Sequence, residues 1–375
     1  MKWSFQKIDE ILLGFSLGTG HLTSLRFFGP IGISEICVLI FIVRFLQQYP
    51  SHIFKFKKNF KGLIKLYFFL SIFIIAPLVT IYIFIFTNLN SDPKYIISFL
   101  MGYVLCFGLD KKIEEGFKIK SMVRSFFIVF IITNLLGIIL FPSLLDAARY
   151  EGLSTNPNQP VFYGATLILL CIMFDKKTSL FTIPFITYIM ILTKSDAFYL
   201  FIACAVFFSI YSAAIMKNKF HPVLKILFYF TSTLFLILFI FVTFKEPIIN
   251  IWKVADEGGA RVLLVENSIK VILSSPFFGF GYGSYSGVTS PFLISEAHNT
   301  FIDFAMQYGI ILPILIYLII FNITFKLIKE NKPVELSFVL AFIVITLFHF
   351  TGRHFTFWAQ LGIFYNFSFK NKKVI

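Results

Sequence analysis

Long apolar runs recur along the whole chain and constrain its fold more than any other feature. A helix that crosses a bilayer needs roughly 20 mostly apolar residues, because its backbone polar groups must bond within the helix itself. Of the 375 residues, 58% are hydrophobic and only 14% are charged, so most of these runs carry few charges. The sequence therefore predicts an all-α, polytopic transmembrane helix bundle and excludes a soluble globular domain.

About twelve helices are expected, and residues 1–375 are predicted to form a single integral membrane domain. Residues 245–308 form a connection far longer than usual, which predicts one large external loop containing short helices. The predicted spans are residues 11–28, 31–47, 63–87, 95–109, 121–141, 161–174, 179–193, 197–216, 224–244, 309–328, 336–350 and 354–368.

The positive charges sort between alternate connections. One set, which includes residues 1–10 and the C-terminal tail, holds 21 Lys and no Arg, whereas the other set holds nine Lys and Arg together. Because cytoplasmic loops are enriched in Lys and Arg, both termini are predicted to be cytoplasmic. The net charge of +14 is then explained by lysines that face anionic membrane lipids, and no nucleic-acid partner is needed.

The four cysteines lie inside apolar spans, at Cys37, Cys106, Cys171 and Cys204. No CxxC or Cys/His spacing typical of a metal site occurs. The cysteines are interpreted as small packing residues, and no metal or other cofactor is predicted.

Polar side chains are costly near a membrane, so external polar segments are candidates for function. Residues 148–160, between the fifth and sixth predicted spans, contain Arg149 and the turn-forming sequence Asn156-Pro157-Asn158. A guanidinium offers a forked donor suited to phosphate. Arg149 is a candidate either for a substrate phosphate or for a lipid phosphate at the membrane surface.

The long external loop has two notable parts. Residues 261–272 predict an amphipathic helix on the outer membrane face, begun by Arg261 and with its apolar side formed by Val262, Val265, Ile269 and Ile272. A segment that alternates glycine with aromatic residues follows, and it contains Tyr282 and Tyr285. These tyrosines are candidates to stack on sugar rings, although an interfacial position would explain them equally.

A third polar segment leads into the tenth span. Ser295 is predicted to cap a helix, with His298 in its first turn and Asn299, Asp303 and Gln307 along one side. The positive end of a helix dipole disfavours imidazolium, so His298 would stay neutral and could take a proton from a hydroxyl. The alternative is a structural histidine that only forms hydrogen bonds.

These segments resemble the O-antigen ligase and polymerase superfamily. Its hallmark is a His followed by Asn, Ser or Gln, then nine residues and a Gly, which matches His298, Asn299 and Gly309. Arg149 with the Pro-Asn segment, and Arg261 with the glycines near residue 280, are similar to two further motifs in the same order.

The chain departs from that pattern at two points. Leu312 stands where the hallmark ends in a small or polar residue, and Lys194-Ser195 stands where many members carry Ser-Arg. A lysine is a point donor and does not reproduce the fork of a guanidinium. The identity of the second phosphate-holding residue is therefore open.

The resemblance implies a metal-independent glycosyltransferase of the bacterial cytoplasmic membrane. A sugar hydroxyl would attack a polyprenyl-diphosphate-linked glycan, and the lipid diphosphate would leave. His298 would be the base, and Arg149, Arg261 and Lys194 would hold the diphosphate. The remaining substrate-binding candidates are Asn158, Tyr282, Tyr285, Asn299 and Asp303. Implied partners are flippase and chain-length regulator proteins of O-antigen, lipopolysaccharide or capsule synthesis.

Three functions are compared. A polymerase extends one lipid-linked repeat with another, and a ligase moves finished glycan to a lipid A core or protein; the very Phe-rich chain, with 53 Phe, resembles polymerases. A lipid-linked glycan flippase would show repeat symmetry, which this sequence lacks. Metal-dependent transferases that use polyprenyl donors carry acidic residues early, whereas Phe28-Gly29-Pro30 has none.

Overall fold

The computed structural model describes residues 5–28, 31–87, 94–140, 150, 153–154, 156–217, 224–225 and 256–369. These residues are mainly helical, as predicted. The helices are α1 (Phe5–Thr19), α2 (Ile33–Gln48), α3 (Phe60–Phe69), α4 (Ala76–Phe86), α5 (Lys94–Glu114), α6 (Ile119–Leu140), α7 (Asn158–Phe174), α8 (Lys176–Leu192), α9 (Asp196–Lys217), α10 (Asp256–Ser274), α11 (Thr300–Tyr308), α12 (Ile311–Lys329), α13 (Pro333–Phe348) and α14 (Phe355–Ser368).

Every predicted span except one corresponds to a described helix or to a helix pair joined end to end. The exception is the span at 224–244, of which only residues 224 and 225 are described. Among the described residues, four segments are long and apolar enough to cross a membrane, and α7 and α13 are shorter apolar helices. The four are Phe60–Phe86, Ile119–Leu140, Ala197–Ile215 and Ile311–Lys329. The chain is thus a helical membrane protein, and the count of twelve spans stays a prediction.

The first predicted span is wrong at its C-terminal end. Helix α1 ends at Thr19, and the next residues form a 3-10 turn, Thr23–Leu25. Strand β1 (Arg26–Phe28) then pairs antiparallel with β2 (Ile31–Gly32), an exception to the all-α prediction. Gly20, a poor helix former, lies against the Tyr163 ring, and a Cβ there would approach the hydroxyl to 2.5 Å.

Helices α3 and α4 form one continuous span through a π-helical turn, Leu70–Ile75. Pro77 follows immediately, in the first turn of α4. Proline has no N–H to donate to the preceding turn, so a wider turn at this point accommodates the missing bond.

Close helix contacts build the core. Helix α1 packs along α6, where a Cβ on Gly14 would lie 2.3 Å from the Met122 carbonyl and one on Gly18 would lie 2.7 Å from Val129 Cβ. Small residues permit such an approach between membrane helices. A continuous hydrophobic cluster extends from Leu13 of α1 to Tyr365 of α14.

The two ends of the bundle differ in charge. At one end lie the start of α1, the end of α14 and several lysines; Tyr365 donates to the Lys61 carbonyl at 2.7 Å, and Lys112 binds Asp9 at 2.6 Å. Four buried carboxylates at this lysine-rich end pair with Lys or Arg: Asp9, Asp110, Asp175 and Glu335. The start of α1 and the end of α14 thus lie at the same end of the bundle, as the alternating topology requires. A cytoplasmic location for that end stays a prediction.

Candidate active-site pocket

A cavity of about 330 Å³ lies at the end of the bundle opposite the lysine-rich end. It is formed where the start of α7, helix α10, the turn before α11 and the connection between α13 and α14 meet. Its lining is mostly polar or basic: Asn156, Asn158, Gln159, Phe162, Leu264, His298, His349, Phe350, Thr351, Arg353 and His354. The lining therefore presents several nitrogen-bearing side chains and, among the residues that the structure describes, no carboxylate.

His298 lies before helix α11 rather than in its first turn. Asn299 is the N-cap, and its side chain accepts a bond from the Ile302 N–H at 3.1 Å. The predicted Ser295 cap is therefore wrong. His298 has a φ of 54°, a left-handed conformation that is uncommon for a residue with a side chain. The turn projects the imidazole outward, and 47% of the side chain is exposed.

Asp303 holds that turn in place. It is fully buried, and its carboxylate accepts the Ala297 N–H at 2.9 Å and the Asn299 N–H at 3.1 Å. Burial, with a smaller effect from Glu296, raises the pKa of Asp303 well above its ordinary value, while the two N–H donors oppose that rise. The polar stripe predicted for α11 thus faces protein, and Asp303 shapes the turn from beneath rather than lining the pocket.

The start of α11 is also bound to the connection between α13 and α14. The Asn299 amide donates to the Leu347 carbonyl at 2.8 Å, and the Thr300 hydroxyl donates to the His349 carbonyl at 2.5 Å. The Thr351 N–H returns a bond to the Thr300 hydroxyl at 2.8 Å. These bonds bring the last external connection against His298.

An ion pair joins those two segments. Arg353 Nη1 donates to Glu296 Oε1 at 2.5 Å, and the other oxygen, Glu296 Oε2, lies 4.0 Å from His298 Nδ1. The Arg353 side chain is 36% exposed and the Glu296 side chain is 11% exposed. One guanidinium therefore both lines the pocket and contacts the carboxylate behind His298.

His354, which immediately precedes α14, lies deeper at the same pocket. Burial lowers the pKa of His354 well below its usual value, and the positive charges of Arg353 and Arg26 add to the effect. Its Nδ1 lies 3.4 Å from the Tyr163 hydroxyl. His354 is therefore neutral at physiological pH, and Arg353 supplies positive charge to the lining.

Asn158, a predicted substrate-binding residue, lines the pocket. It begins α7, its N–H donates to Asn156 Oδ1 at 2.8 Å, and its own side-chain oxygen accepts a bond from the Ser195 hydroxyl. Lys194 is exposed in the turn between α8 and α9, next to Ser195, with a φ of 46°. The lysine is thus beside the pocket segment but is not among the lining residues.

Tyr282 and Tyr285 are buried and lie outside the pocket lining. The Tyr282 hydroxyl donates to the Ile72 carbonyl, and the Tyr285 hydroxyl donates to the Phe280 carbonyl at 2.8 Å. Tyr285 belongs to a small cluster inside the external loop, with Val271, Ala297 and Met306. In this arrangement both rings pack against protein, and neither is available to stack on a sugar.

The two predicted arginines are not placed by the structure. Arg149 lies outside the described residues, and of Arg261 only the backbone, in α10, is described. Of the predicted apolar side of that helix, Ile269 is exposed and Val265 and Ile272 are half-buried, whereas the side that faces protein contains Leu264, Asn267, Ser268 and Val271. The exposed side carries Leu263, Ile269 and Leu273, which suits contact with lipid.

His349, Arg353 and His354 were not predicted from the sequence. The signal was present, because Thr351-Gly352-Arg353-His354 places two ionisable residues in a very short connection between the last two spans. Such residues at a membrane end are costly and indicate a polar cavity. Within the part of the chain that the structure describes, no group of three His, Cys, Asp or Glu residues is arranged to hold a metal.

The glycines of the external loop have a structural role. Gly279, Gly281 and Gly309 all have positive φ, and the Phe280 N–H donates to the Met306 carbonyl at 2.8 Å. The Ile310 N–H donates to the Pro276 carbonyl at 2.8 Å. The segment after α10 therefore binds the end of α11 backbone to backbone, which requires residues without a Cβ.

Gly309→Ala is expected to destabilise this external structure. The added Cβ would lie 2.1 Å from the Phe277 carbonyl oxygen at a φ of 77°, so both a clash and backbone strain arise. The free energy of unfolding is expected to fall by about 3 kcal/mol, which would be measured as a lower melting temperature of the detergent-purified protein. Gly32→Ala is the matched control, because its nearest neighbour is the flexible Glu35 carboxylate at 3.1 Å and its φ is −124°. Equal melting temperatures for the two variants would contradict this account.

The fold and the pocket define a class: a helical membrane protein with a basic, polar cavity at one end of its bundle. Residues 181–318 match the family model described as O-antigen ligase. The match confirms the resemblance to the O-antigen ligase and polymerase superfamily, whose members are glycosyltransferase-like enzymes. It includes His298 and Gly309, whereas Arg149 and Arg353 lie outside it. No curated protein and no solved structure matches the chain.

Proposed function

We propose that the protein is a membrane glycosyltransferase that polymerises polyprenyl-diphosphate-linked oligosaccharide repeats at the outer face of the bacterial cytoplasmic membrane. The observation that carries the proposal is that His298 and Arg353 line the same cavity, at the end opposite the buried lysine and carboxylate pairs. Together with the O-antigen ligase family match, this shared cavity supports a site in which a base and a cation act on one substrate.

The reaction needs two kinds of group. The attacking sugar hydroxyl must lose a proton as it bonds to the anomeric carbon, and His298 is assigned as its acceptor. The bond from that carbon to the diphosphate oxygen breaks with its electrons on the diphosphate, so cations must stabilise the developing charge. Because a diphosphate is already a good leaving group, the proposal includes no metal.

Arg353 is assigned to the diphosphate, together with the predicted Arg149 and Arg261. A guanidinium has five N–H donors in a plane, so one contact with Glu296 is compatible with further contacts to phosphate oxygens. The side chain lines the pocket and is 36% exposed, as a ligand contact requires. Lys194, in the neighbouring turn, is the remaining candidate for a more distal phosphate contact.

The amide groups of the pocket suit the sugars. Asn156, Asn158 and Gln159 lie on one wall, and their amides can donate to and accept from sugar hydroxyls. Asn299 is assigned mainly to capping α11 and Asp303 to supporting the His298 turn. We therefore expect sugar recognition to depend on the start of α7.

Polymerase and ligase activities use the same donor and differ in the acceptor. Deletion of the gene from its host distinguishes them. Accumulation of a lipid carrier or glycolipid capped with a single repeat is expected for a polymerase. Full-length polymer left on the polyprenyl carrier would instead assign a ligase.

A flippase is the alternative from another class. Reconstitution in proteoliposomes with a polyprenyl-diphosphate oligosaccharide separates it from an enzyme. Longer glycans and free polyprenyl diphosphate are expected. Movement of the donor across the bilayer with no change in glycan length would reject the enzyme and support transport.

A further inference from the structure

We propose that Glu296 is a positioning residue that orients the His298 imidazole through its Nδ1 atom, while Arg353 fixes the carboxylate. The inference rests on the proposed function, in which His298 accepts the proton of the sugar hydroxyl. It adds a residue that lies two positions before the family's hallmark histidine.

The two oxygens of the Glu296 carboxylate face different partners. Oε1 accepts from Arg353 Nη1 at 2.5 Å, and Oε2 lies 4.0 Å from His298 Nδ1. A separation of 4.0 Å is longer than a hydrogen bond, but contacts of catalytic groups are often long before substrate binds and tighten afterwards. A carboxylate that accepts the proton on Nδ1 leaves Nε2 unprotonated and able to accept a proton.

The exposure of His298 makes a nearby fixed group useful. The residue is in a left-handed turn, and 47% of its side chain is exposed, so a contact with a neighbouring carboxylate would restrict the rotamers of the ring. Glu296 is on the same turn but is only 11% exposed. Because Arg353 holds the Glu296 carboxylate in place, a contact with that carboxylate would orient the exposed His298 ring.

The arrangement also links two distant parts of the chain. Glu296 precedes α11, whereas Arg353 belongs to the connection between α13 and α14, and the Thr300 bond to the His349 carbonyl holds the two segments together. The imidazole is thereby oriented from the same connection that supplies the pocket cation. The position of the base relative to the diphosphate site would then be fixed.

The carboxylate has an electrostatic consequence. Removal of a negative charge 4.0 Å from the imidazole makes the imidazolium less stable, so His298 would lose its proton at lower pH. The other charged or titratable groups around the ring are Arg353, His349 and His354 on the last connection, and Asp303 beneath the turn; among the side chains that the structure describes, those of α7 and α10 that line the pocket are uncharged.

Glu296→Gln should therefore lower kcat about tenfold to a hundredfold with donor KM nearly unchanged. The acid limb of its pH profile should move to lower pH. Glu296→Asp should keep part of the activity. The assay is glycan extension from a polyprenyl-diphosphate oligosaccharide by the reconstituted full-length protein, measured from pH 5 to 9. Glu115→Gln is the matched control, since Glu115 pairs with Lys111 at the lysine-rich end.

Two further measurements separate the possible failures. The double variant Glu296→Gln with His298→Ala should be no slower than His298→Ala alone, because the carboxylate acts only through the ring. Wild-type kcat and pH profile for Glu296→Gln, with His298→Ala inactive, would overturn the positioning role and leave the proposed function intact. An active His298→Ala would instead remove the proposed base. A lower melting temperature for Glu296→Gln with an unchanged pH profile would mean that the carboxylate is only structural.

Discussion

His298→Ala is expected to abolish glycan transfer while the protein remains folded in the membrane. A general base contributes about a hundredfold to ten-thousandfold to a reaction of this kind, and no other imidazole that lines the pocket in the described structure is as exposed. The His298 side chain is 47% exposed and does not belong to the hydrophobic core of the described residues. The melting temperature should therefore change little.

The measurement is the rate of glycan extension in proteoliposomes at a saturating donor concentration. His298→Gln tests the same role more narrowly, because an amide can donate and accept hydrogen bonds but does not accept a proton at neutral pH. His52→Ala is the matched control, since His52 lies in the lysine-rich connection between α2 and α3 at the opposite end. Normal polymer from His298→Ala, or equal losses in His52→Ala, would refute the assignment of the base.

Arg353→Ala is expected to have the second-largest effect, a loss of about a hundredfold in kcat/KM. Loss of one preorganised donor to a developing anion costs this much or more in other enzymes. The substitution also leaves Glu296 without the guanidinium that holds it at 2.5 Å. Both the leaving diphosphate and the orientation of His298 would be affected.

Arg353→Lys separates charge from geometry. The lysine keeps the positive charge and can still pair with Glu296, but it offers a point donor in place of a fork. We expect about a tenfold increase in donor KM. Arg124→Lys is the matched control, because Arg124 also binds a carboxylate, Asp175, but does so at the lysine-rich end. Wild-type kinetics for both arginine 353 variants would remove this residue from the diphosphate site and leave Arg149 and Arg261 as its candidates.

The helices were predictable because hydropathy is a local property of the sequence. Each run of apolar residues is long enough to satisfy its own backbone, so the positions of α2 to α9 and α12 to α14 follow without knowledge of their neighbours. The end of α1 was missed because Gly20, against the Tyr163 ring, matters only once α1 and α7 are packed together. The sorting of lysines predicted which helix ends lie together, and the contacts between Lys61 and Tyr365 and between Asp9 and Lys112 agree with it.

The composition of the pocket was only partly predictable. The sequence motif selected His298 and the neighbourhood of Asn158, and both line the cavity. It did not select Arg353, because the proximity of residue 353 to Glu296 arises from the bonds between the start of α11 and the last connection. It also assigned Tyr282 and Tyr285 to sugars, whereas tertiary packing buries both rings.

The sequence by itself determined the helical class of fold and the identity of the hallmark histidine, because each depends on residues close together along the chain. The tertiary structure alone decided that an arginine joins the carboxylate beside that histidine. Glu296 is on the same turn as the histidine, but Arg353 is 57 residues beyond Glu296, and only the packing of α11 against α13 and α14 brings its guanidinium to 2.5 Å from the carboxylate.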